Sequence, residues 1–436
     1  MNHSGLLEWL MLFNLLTVAV DDRTTSAHST KFENDAPQST AVRSLVENLK
    51  LTPLDGLTND GFGWSVSLGA NRAVIGSYLD DHNATNSGSA YVFDFDGQNW
   101  SQTQKLMALD GASSDQFGSA VSLSGDRVVI GAHLNDDNGD DSGSVYVFDF
   151  DGVSWHQTQK LTANDAAAFD EFGHSLSLDV DRLIIGAPFD DDNGSNSGSS
   201  YVFEFDGMNW NQTQKLTATN GLGGDNFGYS ISVFGDRALI GAFKDNDNGS
   251  NSGAAYVFDW NGTSWTEQQK LTAVDGAAFD LFGVALCLFG DRALIGASLD
   301  DDNGESSGSA YVFEFNGNNW QQTQKLTASD AAAFKEFGSS VSLSGDRAII
   351  GAHLDDEIGT NAGSVYVYDF DGITWGESQK LAAHDVTAFD NFGQAVSVFA
   401  DQVLIGVPGD DDNGSQSGSA YVYAIDLIFY DGFDGP

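Results

Sequence analysis

The residues best suited to chemistry in this chain are carboxylates that arrive in short runs with asparagine. Asp190, Asp192 and Asn193 form one run, which recurs as Asp245, Asp247 and Asn248, as Asp300, Asp302 and Asn303, and as Asp410, Asp412 and Asn413. Such hard oxygens, joined by backbone carbonyls, are competent ligands for a cation such as Ca2+, which takes about six to eight of them. Set against an EF-hand loop, Asp191, Asn193 and Gly194 fit the third, fifth and sixth positions, but Phe189 and Ser200 fail the first and twelfth. The same residues have a second, purely local chemistry. Asp and Asn cap turns by accepting nearby backbone N–H groups, and Gly194 and Gly198 supply positive φ. Calcium binding predicts melting curves in calcium and in chelator that differ by several degrees; turn capping predicts one curve. More acids, among them Asp165, Asp170, Asp275 and Asp280, stand on a neighbouring stretch, while His82, Ile358 and Lys335 interrupt the pattern in two other copies.

Little else is reactive. His133 and His353 share a repeat position filled elsewhere by Pro188, Phe243, Ser298 and Pro408, and are expected to pack rather than ligate. No serine lies in a nucleophile elbow. Cys287 stands where the other copies carry Ser67, Ser122, Ser177, Ser232, Ser342 and Ser397, so it reads as a small strand residue. We expect no catalytic residue, no enzyme activity, and no cofactor other than Ca2+. The net charge of −45, from 63 acidic and 18 basic residues, repels nucleic acid and anionic membranes and favours cations or partners with basic patches.

The elements that must position these carboxylates follow from a period. Phe-Gly recurs every 55 residues, at Phe62, Phe117, Phe172, Phe227, Phe282, Phe337 and Phe392. Such a unit is too long for one hairpin and too short for a domain, so it must bury its faces on its neighbours. In the second copy, Ser119 to Ser124 alternates small and apolar residues, Gly125-Asp126 turns into Arg127 to Ala132, a polar loop leads to Ser144 to Phe150, and Asp151-Gly152 turns into Trp155 to Leu161. Each unit is therefore four antiparallel strands. Strands two and three are apolar on both faces and need cover on both sides, which radial packing provides. The expected fold is all-β: a seven-bladed β-propeller with its small first strands innermost and its acidic loops on one face.

The ends support closure into a ring. The last unit lacks a fourth strand, and Leu45 to Thr52 has that strand's pattern, so it should pair with Ala420 to Ile425. The propeller then spans 45–425. Residues 1–20, with an apolar run from Leu6 to Val20, read as a signal peptide, 21–44 as a flexible leader and 426–436 as a short tail. No integral membrane span is expected once the signal is removed.

Phe172-Gly173 followed by Gly186-Ala187-Pro188 resembles the FG-GAP repeat of the integrin α-subunit propeller and its bacterial relatives, and the resemblance covers all seven units. The family's calcium loop lies between those two motifs. Here that interval is a tight hairpin holding, in the second unit, only Asp126, so the usual site is not carried over. The resemblance implies a secreted or cell-surface adhesion scaffold whose acidic face meets an extracellular protein or glycan, with or without a bridging cation. A structural subunit of an extracellular assembly and a lectin-like module using Trp64, Phe189 and Phe243 are the alternatives.

Overall fold

The computed structural model describes residues 44–425. The expected signal peptide, all of the leader but its last residue, and the C-terminal tail lie outside the described residues. Seven four-stranded antiparallel sheets are present, each ordered one to four. We number them as blades from the N-terminus: blade 1 spans 62–106, each later blade follows its own Phe-Gly pair 55 residues further on, and blade 7 takes Leu45–Leu51 as its fourth strand. In blade 2 the strands are Ala120–Ser124, Arg127–Ala132, Ser144–Phe150 and Trp155–Leu161.

Successive residues of the middle strands face opposite neighbours. Val129, Val145 and Val147 of blade 2 share a core with Leu183, Ile185 and Tyr201 of blade 3, whereas Val128, Ile130 and Tyr146 share one with Val74, Ala90 and Val92 of blade 1. This is why the strands are apolar on both sides. The Phe-Gly pair has a divided task. Phe117 is fully buried, edge-on to Tyr146 and Phe148 at 5.4 and 6.0 Å, and so anchors its own blade. Gly118 has φ +95°, and a Cβ there would stand 2.2 Å from the Ser89 carbonyl oxygen of blade 1. Only glycine permits both the conformation and the approach.

Polar staples join the blades. Gln104 donates from Nε2 to the Trp155 carbonyl and accepts the Trp155 N–H at Oε1, both at 2.8 Å, and the motif repeats around to Gln379 and Leu45. Arg72 binds Asp94 of its own blade at 2.7 Å and Asp126 of the next at 2.9 Å, lying over Phe150 and Trp155. The innermost strands line a central channel of about 280 Å³. Along it, each serine Oγ accepts a backbone N–H from the following blade: Leu123 to Ser67, Leu178 to Ser122, and finally Leu68 back to Ser397. Cys287 takes the same place, its Sγ 3.3 Å from the Leu343 nitrogen, and burial raises its thiol pKa.

The ring closes as the sequence implies. Leu45 pairs with Ile425, Lys50 with Tyr421 and Leu51 with Ala420, with an irregularity between Glu47 and Leu49. Among the described residues, no helix is long and apolar enough to cross a membrane.

Candidate binding face

Two connections emerge on one end of each blade: the loop from strand two to strand three, and the stretch that leads from strand four into the next blade. Backbone bonds press them together. The N–H groups of Phe169, Glu171 and Phe172 donate to the carbonyls of Asp140, Asp141 and Ser142 at 2.7, 3.1 and 3.1 Å. The acidic residues named from the sequence therefore share a face.

Asp190 is 3% exposed. It accepts Ser199 Oγ at 3.0 Å, Tyr201 Oη at 2.8 Å and the Asp192 N–H at 3.1 Å, while Asp191 accepts the Asn196 N–H at 2.6 Å. These are turn-capping bonds, and they recur at Asp245, Asp300 and Asp410, which accept the N–H groups of Asp247, Asp302 and Asp412. Asn193, Asn248, Asn303 and Asn413 are exposed.

Capping is only half of the arrangement, because a lysine from strand four enters each cluster. Lys215 Nζ lies 2.8 Å from Asp165, 2.8 Å from Asp190 and 2.5 Å from Asp192. Lys270 meets Asp245 and Asp247 at 2.6 and 2.5 Å, Lys325 meets Asp275, Asp300 and Asp302 at 2.8, 2.8 and 2.6 Å, and Lys50 meets Asp385, Asp410 and Asp412 at 3.0, 2.6 and 2.6 Å. Burial disfavours the Lys215 charge, but the three carboxylates outweigh it and raise the pKa, and the same ammonium holds Asp165 below the usual carboxylate range against its own desolvation. Asp165, Asp190 and Asp192, like Asp330, Asp355 and Glu357, bring ligand oxygens within 4.8 Å of one another, close enough to hold an ion. The ion already there is an ammonium. Calcium at any of these clusters would have to displace it.

The family's usual calcium position fares no better. The turn after strand one in blade 2 offers Asp126, which is engaged by Arg72, and the residues beside it are Gly125 and Ser124. One paired carboxylate does not make a calcium cage.

A second acid on each connection behaves differently. Asp60, Asp170 and Asp280 are buried, each accepts one backbone N–H at 2.7 Å, and desolvation, helped by the neighbouring Asp80, Asp190 and Asp300, pushes each up to about 6. In blade 6 the equivalent is Lys335, which binds Asp330 and Asp355 at 2.9 and 3.2 Å.

Beside these acids stand four phenylalanines that the sequence reading overlooked. Phe169, Phe279, Phe334 and Phe389 are 55–59% exposed and have φ of +66 to +75°. A bulky residue rarely adopts that conformation. Asn59, Ser114 and Gly224 hold the same position in the other blades. Trp64, Phe189 and Phe243, the aromatics nominated for sugar stacking, instead pack at the channel mouth. Trp64 lies 4.4 Å from Tyr78, Phe243 4.1 Å from Tyr229, and Phe189 6.2 Å from His174.

The seven-fold ring, the Phe-Gly anchors and the 55-residue repeat define a class of propeller. The FG-GAP repeat matches residues 45–93, 100–148, 155–203, 210–258, 265–313, 320–368 and 375–423, and the chain belongs to that family. Each match opens on the fourth strand of one blade and ends in the third strand of the next, the same offset that lets Leu45–Leu51 complete the last blade. No curated protein matches the chain.

Proposed function

We propose that this propeller is a non-enzymatic binding scaffold, secreted or held at the cell surface, that offers its acidic loop face to an extracellular protein. The observation that carries this reading is the set of exposed phenylalanines at positive φ. Left-handed backbone costs a non-glycine residue about 1–2 kcal/mol, and an exposed ring regains little of it within the fold. Asn59 and Gly224 are cheaper occupants of the same site. Aromatic anchors ringed by charge are the composition of interface hot spots, where they enter apolar pockets on a partner. With the acidic loops beside them and a net charge of −45 on the chain, the fitting partner carries basic residues beside those pockets. Adhesion is the role we assign, in keeping with the Leu6 to Val20 run that reads as a secretion signal. Calcium has no structural part in this reading, since a lysine ammonium already occupies each of these carboxylate clusters.

The test compares wild type with a Phe169→Gly, Phe279→Gly, Phe334→Gly, Phe389→Gly variant of matched folding, each immobilised and exposed to the same extracellular proteins and to a glycan array. Proteins retained by wild type and lost by the variant are expected, with retention weakening as salt rises. An identical retained set would overturn the reading, and glycan binding indifferent to the four substitutions would favour a lectin.

A further inference from the structure

We propose that His133, Glu171 and His174 form a binding site for a borderline transition-metal ion such as Zn2+, at the mouth of the central channel between blades 2 and 3. His133 follows strand two of blade 2, and Glu171 and His174 bracket the Phe172-Gly173 anchor of blade 3. One ligand atom from each lies within 4.8 Å of the others. The two imidazoles are 5.5 Å apart between ring centres, and Glu171 Oε2 is 3.2 Å from His174 Nδ1. Ligand atoms held at about 2.0–2.2 Å from a tetrahedral ion stand roughly 3.4 Å apart, so modest side-chain rotation closes the set.

The donor chemistry selects the ion. Two imidazoles and one carboxylate suit zinc and its neighbours, whereas calcium and magnesium prefer oxygen alone. Ser119 Oγ lies 3.0 Å from His133 Nδ1, which orients that ring and leaves Nε2 for the metal, the usual division of labour for a ligating histidine. Glu171 and His174 keep 23% of their side-chain surface exposed, and His174 lines the channel, so an ion has a path in and a fourth position for water or a donor from a partner. The other histidine at this repeat position supplies a built-in control. At His353 the positions equivalent to Glu171 and His174 are Asn391 and Gln394, and although Glu336 lies 3.9 Å from its Nε2 there is no second imidazole, so the His2Glu set is not reproduced there.

Equilibrium dialysis of the full chain against ZnCl2, with excess Ca2+ and physiological salt to saturate the acidic surface, reads the site directly. Replacement of Zn2+ by Co2+ adds a visible spectrum that reports tetrahedral nitrogen and oxygen ligands. Wild type and His353→Gln are expected to bind with equal affinity, Ser119→Ala about tenfold more weakly, and His174→Gln or Glu171→Gln more weakly still, with all four variants retaining the wild-type strand signal by circular dichroism. Zinc uptake that excess Ca2+ abolishes, or that His174→Gln and Glu171→Gln leave unchanged, would overturn the site.

Discussion

At the scale of single residues, two side chains change what the acidic runs mean. Lys215 lies 25 residues from Asp190 and 50 from Asp165 along the chain, yet its ammonium joins both. The carboxylates were legible in the sequence as a cluster; their counter-ion was not, because strand pairing brings it in from the far edge of the blade. A signal existed, since Lys50, Lys105, Lys160, Lys215, Lys270, Lys325 and Lys380 keep the 55-residue period. Replacing Lys215 with Met should cost roughly 3 kcal/mol, the low end for stranding the partner of a buried ion pair. Wild type should melt alike in Ca2+ and in chelator, whereas Lys215→Met should gain a calcium-dependent rise. A large calcium shift in wild type alone would refute the lysine account. Phe169 and Phe227 make the second contrast. In sequence both are aromatics beside a loop acid; in the fold one is exposed at φ +71° and the other is 1% exposed against Tyr256 and Phe258. Denaturant melts should show Phe227→Ala losing about 3–5 kcal/mol and Phe169→Gly losing nothing or gaining about 1 kcal/mol.

At the scale of elements, the connections between blades act as acid-sensitive clamps. A carboxyl whose pKa is higher in the folded state binds its proton more tightly there. Stability therefore falls as pH rises from the unfolded value of about 3.9 through the folded value. Asp60, Asp170 and Asp280, at about 6, predict that thermal stability increases when the pH drops from 7.5 to about 5. Asp55, Asp165, Asp275 and Asp385 resist desolvation through bonds to lysines or tyrosines that hold them low, so their contribution is lost only as the pH falls below about 4. A melting-temperature profile should peak between these limits, and an Asp60→Asn, Asp170→Asn, Asp280→Asn variant should flatten its upper side. The strands themselves were readable because their signals are local: Gly-Asp and Asp-Gly turns and doubly apolar runs. The conformation of the connection was not, since Ala-Phe-Asp carries no glycine to announce a left-handed residue.

At the scale of the whole molecule, closure makes one seam unlike the rest. Where six strands carry the stapling glutamine, the closing strand has Leu49, and where six carry the bridging arginine, blade 7 has Gln402 opposite Asn71 of blade 1. The junction of blades 7 and 1 is therefore expected to open first. Leu49→Gln should raise the melting temperature by restoring a clamp on Trp100, whereas deleting residues 45–52 should expose a strand edge and cause aggregation. Ring and closure were predictable from the period and from the incomplete last unit; the weak seam shows only once each missing staple is set beside its intact copies. The ring also makes its two ends unlike, since it gathers the loops between strands two and three and the connections between blades, with their exposed phenylalanines, at one end and leaves the tight Gly-Asp and Asp-Gly turns at the other. The most direct test of that asymmetry is hydrogen–deuterium exchange of the propeller with and without a captured protein partner. Protection should fall on the connections at 162–174, 272–284, 327–339 and 382–394; protection confined to the opposite turns, such as those around Gly152 and Gly207, would contradict a binding face built from acids and exposed phenylalanines.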